Sequence, residues 1–201
     1  MSAIVAGTPR KTASPPRRRI LDTAAALFYA EGIRAVGIDR IITEAGVAKA
    51  TFYHHFPTKD LLVVAYLEEM SLQQRAAAQA LGANALTAGE RLLRVFDVLG
   101  EIACGPGFRG CAFVNAAAEY PDPEHPVRRT VAGHRAWFRG LMEELLTEMG
   151  RPDAAVTAGI LVLLRDGMVA GAALDDAAEA RSRTRVAITR VLAAPAEAAA
   201  S

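Results

Sequence analysis

Apolar residues recur at helical spacing along nearly the whole chain. Ile20, Ala24, Leu27 and Phe28 lie three and four apart and predict a first helix over about residues 17–31, closed by Gly32. Ile41, Ile42 and Ala45 form the apolar face of a short second helix, and Phe52 and Phe56, four apart, form that of a third. Gly46-Val47 between them reads as a sharp turn, because glycine enters the left-handed conformation that closes a helix without a Cβ clash. Pro57-Thr58 stops the third helix, and Thr58 suits the N-cap of a fourth.

That fourth helix is predicted to be long, about residues 59–81, with Leu62, Tyr66, Met70 and Leu72 inward and a break at 82–86. Thr87-x-x-Glu90 is a capping box that opens a fifth helix carrying Leu92, Leu93, Phe96, Leu99 and Ile102. Residues 104–110 are a loop by composition, and 108–120 read as a sixth helix. Pro121, Pro123 and Pro126 forbid continuous helix, but Pro126 suits the first turn of a seventh, which runs to about residue 149. Val127, Val131, His134, Phe138, Met142, Leu145 and Met149 form its stripe.

The eighth helix, about 153–174, is apolar nearly all round and must be buried on more than one side. Gly159, Gly167 and Gly171 cost it roughly 1 kcal/mol each against alanine, a cost that close helix–helix approach offsets. Asp176-x-x-Glu179 starts a ninth helix with Val186, Ile188, Val191 and Leu192. With no strand-like alternation and no repeat, the chain reads as all-α with about nine helices.

At 201 residues the chain is long enough for a substantial core. No run reads as a signal peptide, and the most apolar segment, 154–174, is interrupted by Arg165-Asp166, so a cytoplasmic protein without a membrane span is expected. Two cysteines, Cys104 and Cys111, are too few for a disulfide framework. The net charge of +1 hides an asymmetry. Residues 1–60 hold nine Lys/Arg against five Asp/Glu, whereas 61–201 hold fourteen against seventeen. Residues 1–16, with three prolines, are expected to be a disordered basic tail. Arg17 and Arg18, beside the first helix, are placed to meet a phosphate backbone.

This basic excess falls on the helix pair at 38–56. Turning Phe52 and Phe56 inward directs Lys49, Thr51, Tyr53, His54 and His55 to other faces. Short polar groups, a hydroxylated ring and positive charge are what a helix entering a DNA major groove needs, which makes the segment a helix-turn-helix. The alternative is a helical hairpin used only for packing or for protein contact. His54 and His55 diverge by about 100° on a helix and His125 and His134 lie far along the chain, so no metal or other cofactor is expected. An enzyme built on Glu119, His134 and Cys111 would lack a nucleophile elbow, a phosphate loop and metal-ligand spacing.

In the C-terminal part, Phe96, Phe113, Trp137, Phe138 and Met168, with the polar groups of Asn115, Tyr120 and His134, are candidates to line an effector pocket. Gly159, Leu163, Gly167, Gly171 and Ile188 on the last two helices are candidates for a homodimer interface. Arg165 and Asp166 are candidates to pair across its two-fold axis. Cys104 and Cys111 offer a rival trigger, a thiol switch, against the simpler reading of two buried apolar groups.

Thr51-Phe52-Tyr53-His54-His55-Phe56, the following Pro57–Leu61, and Ala24, Leu27, Phe28, Gly32, Ile41 and Ala45-Gly46-Val47 together resemble the DNA-binding segment of the TetR family of bacterial transcriptional regulators. The resemblance covers about residues 17–65; Ile42 departs from it, where many members carry alanine. It implies a DNA-binding domain over 17–62, an effector-binding and dimerisation domain over 63–194, and a short tail at 195–201. It also implies phosphate contacts from Lys59, Tyr53 and a histidine such as His54, and pairing of the last two helices with their copies in a four-helix bundle. The expected function is that of a dimeric repressor on a palindromic stretch of double-stranded DNA, released when a small, largely apolar effector swings the fourth helix.

Overall fold

The computed structural model describes residues 14–82 and 86–195, and among these it contains nine α-helices and no strand. They are α1 (Pro15–Glu31), α2 (Ile38–Ala45), α3 (Lys49–His55), α4 (Lys59–Gly82), α5 (Ala88–Ala103), α6 (Ala112–Glu119), α7 (Pro126–Glu148), α8 (Ala154–Leu174) and α9 (Ala177–Ala193). The all-α expectation therefore holds. Most of the expected basic tail, residues 1–13, lies outside the described residues, but Pro15 and Pro16 belong to α1, where a missing N–H costs nothing in the first turn.

Two compact units organise these helices. The first takes the described residues up to 77 together with 112–131; the second takes 78–111 and 132 onward. The first unit is therefore not a contiguous N-terminal stretch, because α6 and the start of α7 return to it. Within it α1, α2 and α3 pack on one another around Ile20, Ala24, Phe28, Ile41 and Phe52, all buried. Phe28 and Tyr66 meet edge to face at 5.9 Å, which seats α4 against α1. On α4 the inward set is Leu62, Val63, Tyr66, Leu67 and Ser71; Leu72, expected inside, is exposed because the helix turns it one position past the buried stripe.

The second unit is built on α5, α8 and α9, with the part of α7 from residue 132 on supplying Phe138, Met142, Leu145 and Leu146 to the core. The capping box at Thr87 is present: its hydroxyl accepts from the Glu90 N–H at 3.3 Å while Glu90 accepts from the Thr87 N–H at 2.8 Å. Ile102 and Met149 are exposed, against expectation: at the end of α5 it is Gly100 and Ala103 that face inward, and Met149 lies just past the end of α7. By length and composition α8 is apolar enough to cross a membrane, with a mean hydropathy of 1.5, despite Arg165-Asp166. Here it packs chiefly against α9.

Three candidate interface residues are used inside this unit. Ile188 is fully buried in the core. A Cβ at Gly171 would come within 3.2 Å of the Ala180 methyl, and one at Gly159 within 3.2 Å of the Arg139 guanidinium. At Gly171 the close helix approach is thus intrachain, between α8 and α9, whereas Gly159 faces only the end of a flexible side chain. Gly167 meets nothing. Arg165 pairs with Asp166 of its own chain at 2.7 Å and stacks over Phe138 at 4.6 Å.

Candidate nucleic-acid interface

The α2–α3 pair is held by local chemistry. Gly46 has φ 61° and ψ 45°, the left-handed conformation. Its N–H donates to the Thr43 carbonyl at 3.2 Å and the Val47 N–H donates to the Ile42 carbonyl at 3.3 Å, the paired bonds of a Schellman stop. A Cβ there would meet nothing within 4 Å, so backbone conformation, not space, calls for glycine. α3 then buries Phe52, and its C-cap residue Phe56 is buried beside it, the two rings 6.3 Å apart.

With those two rings inward, Lys49, Ala50, Tyr53 and His54 form the exposed face of α3, while Thr51 and His55 are half-buried. Tyr53 is braced edge-on by Phe52 at 5.3 Å yet 40% exposed, a rigid ring with a free hydroxyl end. Among the described residues Lys49 pairs with Asp39 at 3.3 Å, both side chains largely exposed. The half-buried His55 is turned back to the protein, its Nε2 3.2 Å from the Ser14 hydroxyl.

The other cations divide. Arg17 lies over the Phe56 ring at 5.1 Å, which fixes its stem beside α3. Arg18 is engaged elsewhere: it pairs with Asp22 one turn on and with Glu69 of α4 at 3.1 Å. Arg40, which the sequence reading did not single out, is clamped between Glu31 and Glu44. Lys59 opens α4 behind the Thr58 cap, whose hydroxyl accepts the Leu61 N–H at 3.2 Å. Its ammonium sits 6.0 Å from the Phe28 ring centroid, and burial draws its pKa down against the opposing pull of Glu119 and Asp60.

A polar cluster from the far end of α6 completes the unit. Glu119 accepts the backbone N–H groups of Ile33 at 2.8 Å and Arg34 at 2.6 Å, in the turn between α1 and α2. The Tyr120 phenol donates to Asp60 at 2.9 Å; burial, then this bond, pushes its pKa well up. His125 accepts the Val127 N–H at Nδ1, leaving Nε2–H to face Asp60 at 3.3 Å, and its ring stacks on Tyr120 at 4.6 Å. No local pattern could have found this cluster, since its partners stand 60 to 86 positions apart.

The effector candidates do not form one set. Phe113 is buried and Asn115 exposed on α6 in the first unit, where Tyr120 is committed to Asp60. In the second unit Phe96 and Phe138 meet edge to face at 6.3 Å and His134 lies buried against Trp137 at 5.3 Å. Phe96 and Met168 line a small cleft with Asp97, Arg181, Thr184 and Arg185, of about 10 Å³, on the order of one water molecule. Arg135 and Arg165 both bind Asp166; burial pushes that carboxyl up, but the two guanidiniums outweigh it and hold it below its usual range. Cys104 is exposed and Cys111 half-buried, both as free thiols.

Residues 20–66 match the family model described as "Bacterial regulatory proteins, tetR family". Along the whole fold the chain is similar to SCO4454, a TetR-family transcriptional regulator from Streptomyces coelicolor, with 44% identity, a TM-score of 0.85, and coverage of 89% of this chain and 95% of that one. It is also similar to a putative TetR transcriptional regulator from Streptomyces avermitilis, with 28% identity, a TM-score of 0.73, and coverage of 87% and 98%. Among curated proteins it is 28% identical over 141 residues to the HTH-type transcriptional regulator LmrA of Bacillus subtilis (strain 168), spanning 67% of this chain and 72% of that one.

Proposed function

Since the chain belongs to the TetR family and is thus a helix-turn-helix transcriptional regulator, we propose that it acts as a homodimeric repressor which a small, largely apolar effector releases from a palindromic operator. The observation that carries this reading is the face of α3. Lys49, Tyr53 and His54 stand exposed on a helix whose opposite side is locked by Phe52 and Phe56. That is the arrangement a major-groove reader needs, with the cationic and hydroxyl groups exposed on a helix anchored from its other side. Arg17 and Lys59, at either end of the three-helix core, supply backbone contacts; Arg18 is left out because Asp22 and Glu69 hold it.

Self-association rests on α8. Val156, Ile160, Leu163, Gly167, Ala170 and Leu174 are all exposed and succeed one another at spacings of four and three, the seam of a coiled-coil-like contact. Leu163 and Leu174 are 66% and 82% exposed, which a second copy of the same helix would cover. A two-fold pair presents two α3 helices to two half-sites, about 34–36 Å or a multiple apart along the duplex.

Effector binding would draw on the aromatic set of the second unit, Phe96, His134, Trp137, Phe138 and Met168. The ligand shifts DNA affinity only by its difference in affinity between the two states of the dimer. The test is a gel shift on the gene's own upstream duplex. Retardation that weakens steeply with salt is expected; no retardation at low salt overturns the reading.

A further inference from the structure

We infer that Glu119 and Tyr120 are positioning residues for DNA binding, forming a latch that fixes the helix-turn-helix from both of its ends. Glu119 holds the backbone just before α2, through the Ile33 and Arg34 amides. The adjacent Tyr120 holds the other end five residues past α3, donating its hydroxyl to the Asp60 side chain in the first turn of α4. Residues 35–59, which contain the whole recognition element, therefore lie between two anchors that one short strap provides. His125 stacks on Tyr120 and approaches the other oxygen of Asp60, and Arg128 donates to the Ala117 carbonyl at 3.1 Å, so the strap is itself braced.

Two features make the Glu119 contact a fitted one. A carboxylate that accepts two successive backbone N–H groups satisfies donors the α1–α2 turn cannot pair within itself. Gly32, at φ 92°, gives that turn a conformation L side chains rarely adopt, and a Cβ there would lie in van der Waals contact, 3.5 Å, with Glu119 Oε1. The strap lies more than fifty positions beyond α3, outside any sequence-defined DNA-binding segment, and touches no exposed group of the recognition face. Tyr120 acts on DNA through the placement of α2 and α3, whereas the Glu119 charge also acts on Lys59. The proposal rests on the DNA-binding reading and extends it.

The experiment compares wild type, Glu119→Ala, Glu119→Gln and Tyr120→Phe as full-length protein on two duplexes, the upstream region and a scrambled control, by fluorescence anisotropy. Failure of the wild type to bind the upstream duplex defeats the DNA-binding reading itself. If it binds, the latch predicts that Glu119→Ala and Tyr120→Phe each lose roughly ten-fold in affinity for the upstream duplex, the scale of a lost charge-assisted hydrogen bond. Glu119→Gln, which keeps one acceptor, loses less. In Tyr120→Phe, which removes no charge, binding to the scrambled duplex and the slope against salt stay unchanged; Glu119→Ala and Glu119→Gln both remove the negative charge that acts on Lys59, so the difference between those two reads the lost acceptors alone. Hydrogen exchange at the Ile33 and Arg34 amides speeds up in Glu119→Ala. Folded variants that match wild type on the upstream duplex, or that lose affinity equally on both, overturn the latch. Tyr120→Phe removes a single hydroxyl, so the test survives even if Glu119→Ala does not fold.

Discussion

The guanidinium of Arg18 and the carboxylate of Glu69 meet at 3.1 Å, tying α1 to α4. The pair is only partly exposed, and Arg18 is held a second time by Asp22. A cation with two carboxylate partners brings little net charge to a phosphate. Replacing Arg18 by Ala is therefore expected to lower stability by about 0.2–1 kcal/mol, the range of surface pairs, and to leave the slope of log K against log salt for DNA binding unchanged. Denaturant melts and a salt titration check both halves. A slope shallower by about 0.9 would restore Arg18 to the phosphate contacts.

Lys49 stands in the opposite condition. Its pair with Asp39 is long and both side chains are largely exposed, so water and salt already compete for it. Lys49→Ala is expected to cut DNA affinity and reduce the salt slope by about 0.9, with the melting curve barely moved. Tyr53→Ala removes a ring that Phe52 holds rigid at 5.3 Å, and is expected to cost roughly ten-fold or more in affinity for the upstream duplex, on the scale of one good base or backbone contact. Unchanged affinity in both variants would leave α3 without a role in DNA binding.

The contrast between these cations marks how far the sequence could be read. Phe52, Phe56 and Gly46 were legible because each acts on residues within one turn of itself, and periodicity or backbone preference reports such contacts directly. The capping box at Thr87 was legible for the same reason. Arg18, Tyr120, Gly171 and Ile188 were not. Each has its decisive partner, Glu69, Asp60, Ala180 or the core of α5 and α7, on a different helix, and a polar or small residue carries no local mark of which neighbour it will meet. Leu72 and Ile102 failed differently: each is an apolar residue one position off the buried stripe, beside the buried Ser71 and Ala103.

Ile188 and Leu163 were read together as interface residues, and the structure separates them by burial, fully enclosed against 66% exposed. Ile188→Ala is expected to leave a cavity in the second unit and lower stability by about 2–5 kcal/mol at constant dimer affinity per folded chain. Leu163→Glu places a charge on the exposed α8 seam and is expected to leave the monomer helical while shifting sedimentation toward the single chain. Should Leu163→Glu sediment as the wild-type dimer, the seam is not the subunit contact.

Arg151 ties the start of α8 to the end of α9, donating to the Leu192 and Ala194 carbonyls at 3.0 and 3.1 Å while pairing with Asp153 at 2.7 Å. The Arg151 bond, with help from the Thr157 hydroxyl and against burial, holds the Asp153 carboxyl at about 2, below the roughly 3.9 of a free aspartate. A carboxyl whose pKa falls on folding stabilises the native state above its unfolded value and loses that contribution as the pH drops through the folded one. Wild type and Arg151→Met are therefore expected to differ in melting temperature at pH 7, with the gap narrowing as the pH falls from about 4 to about 2. In an NMR titration the Asp153 midpoint should lie near 2 in wild type and move toward the ordinary aspartate value in Arg151→Met. A wild-type midpoint already at that ordinary value would mean that Arg151 does not hold this carboxylate in solution, and that the end of α9 is secured by other groups.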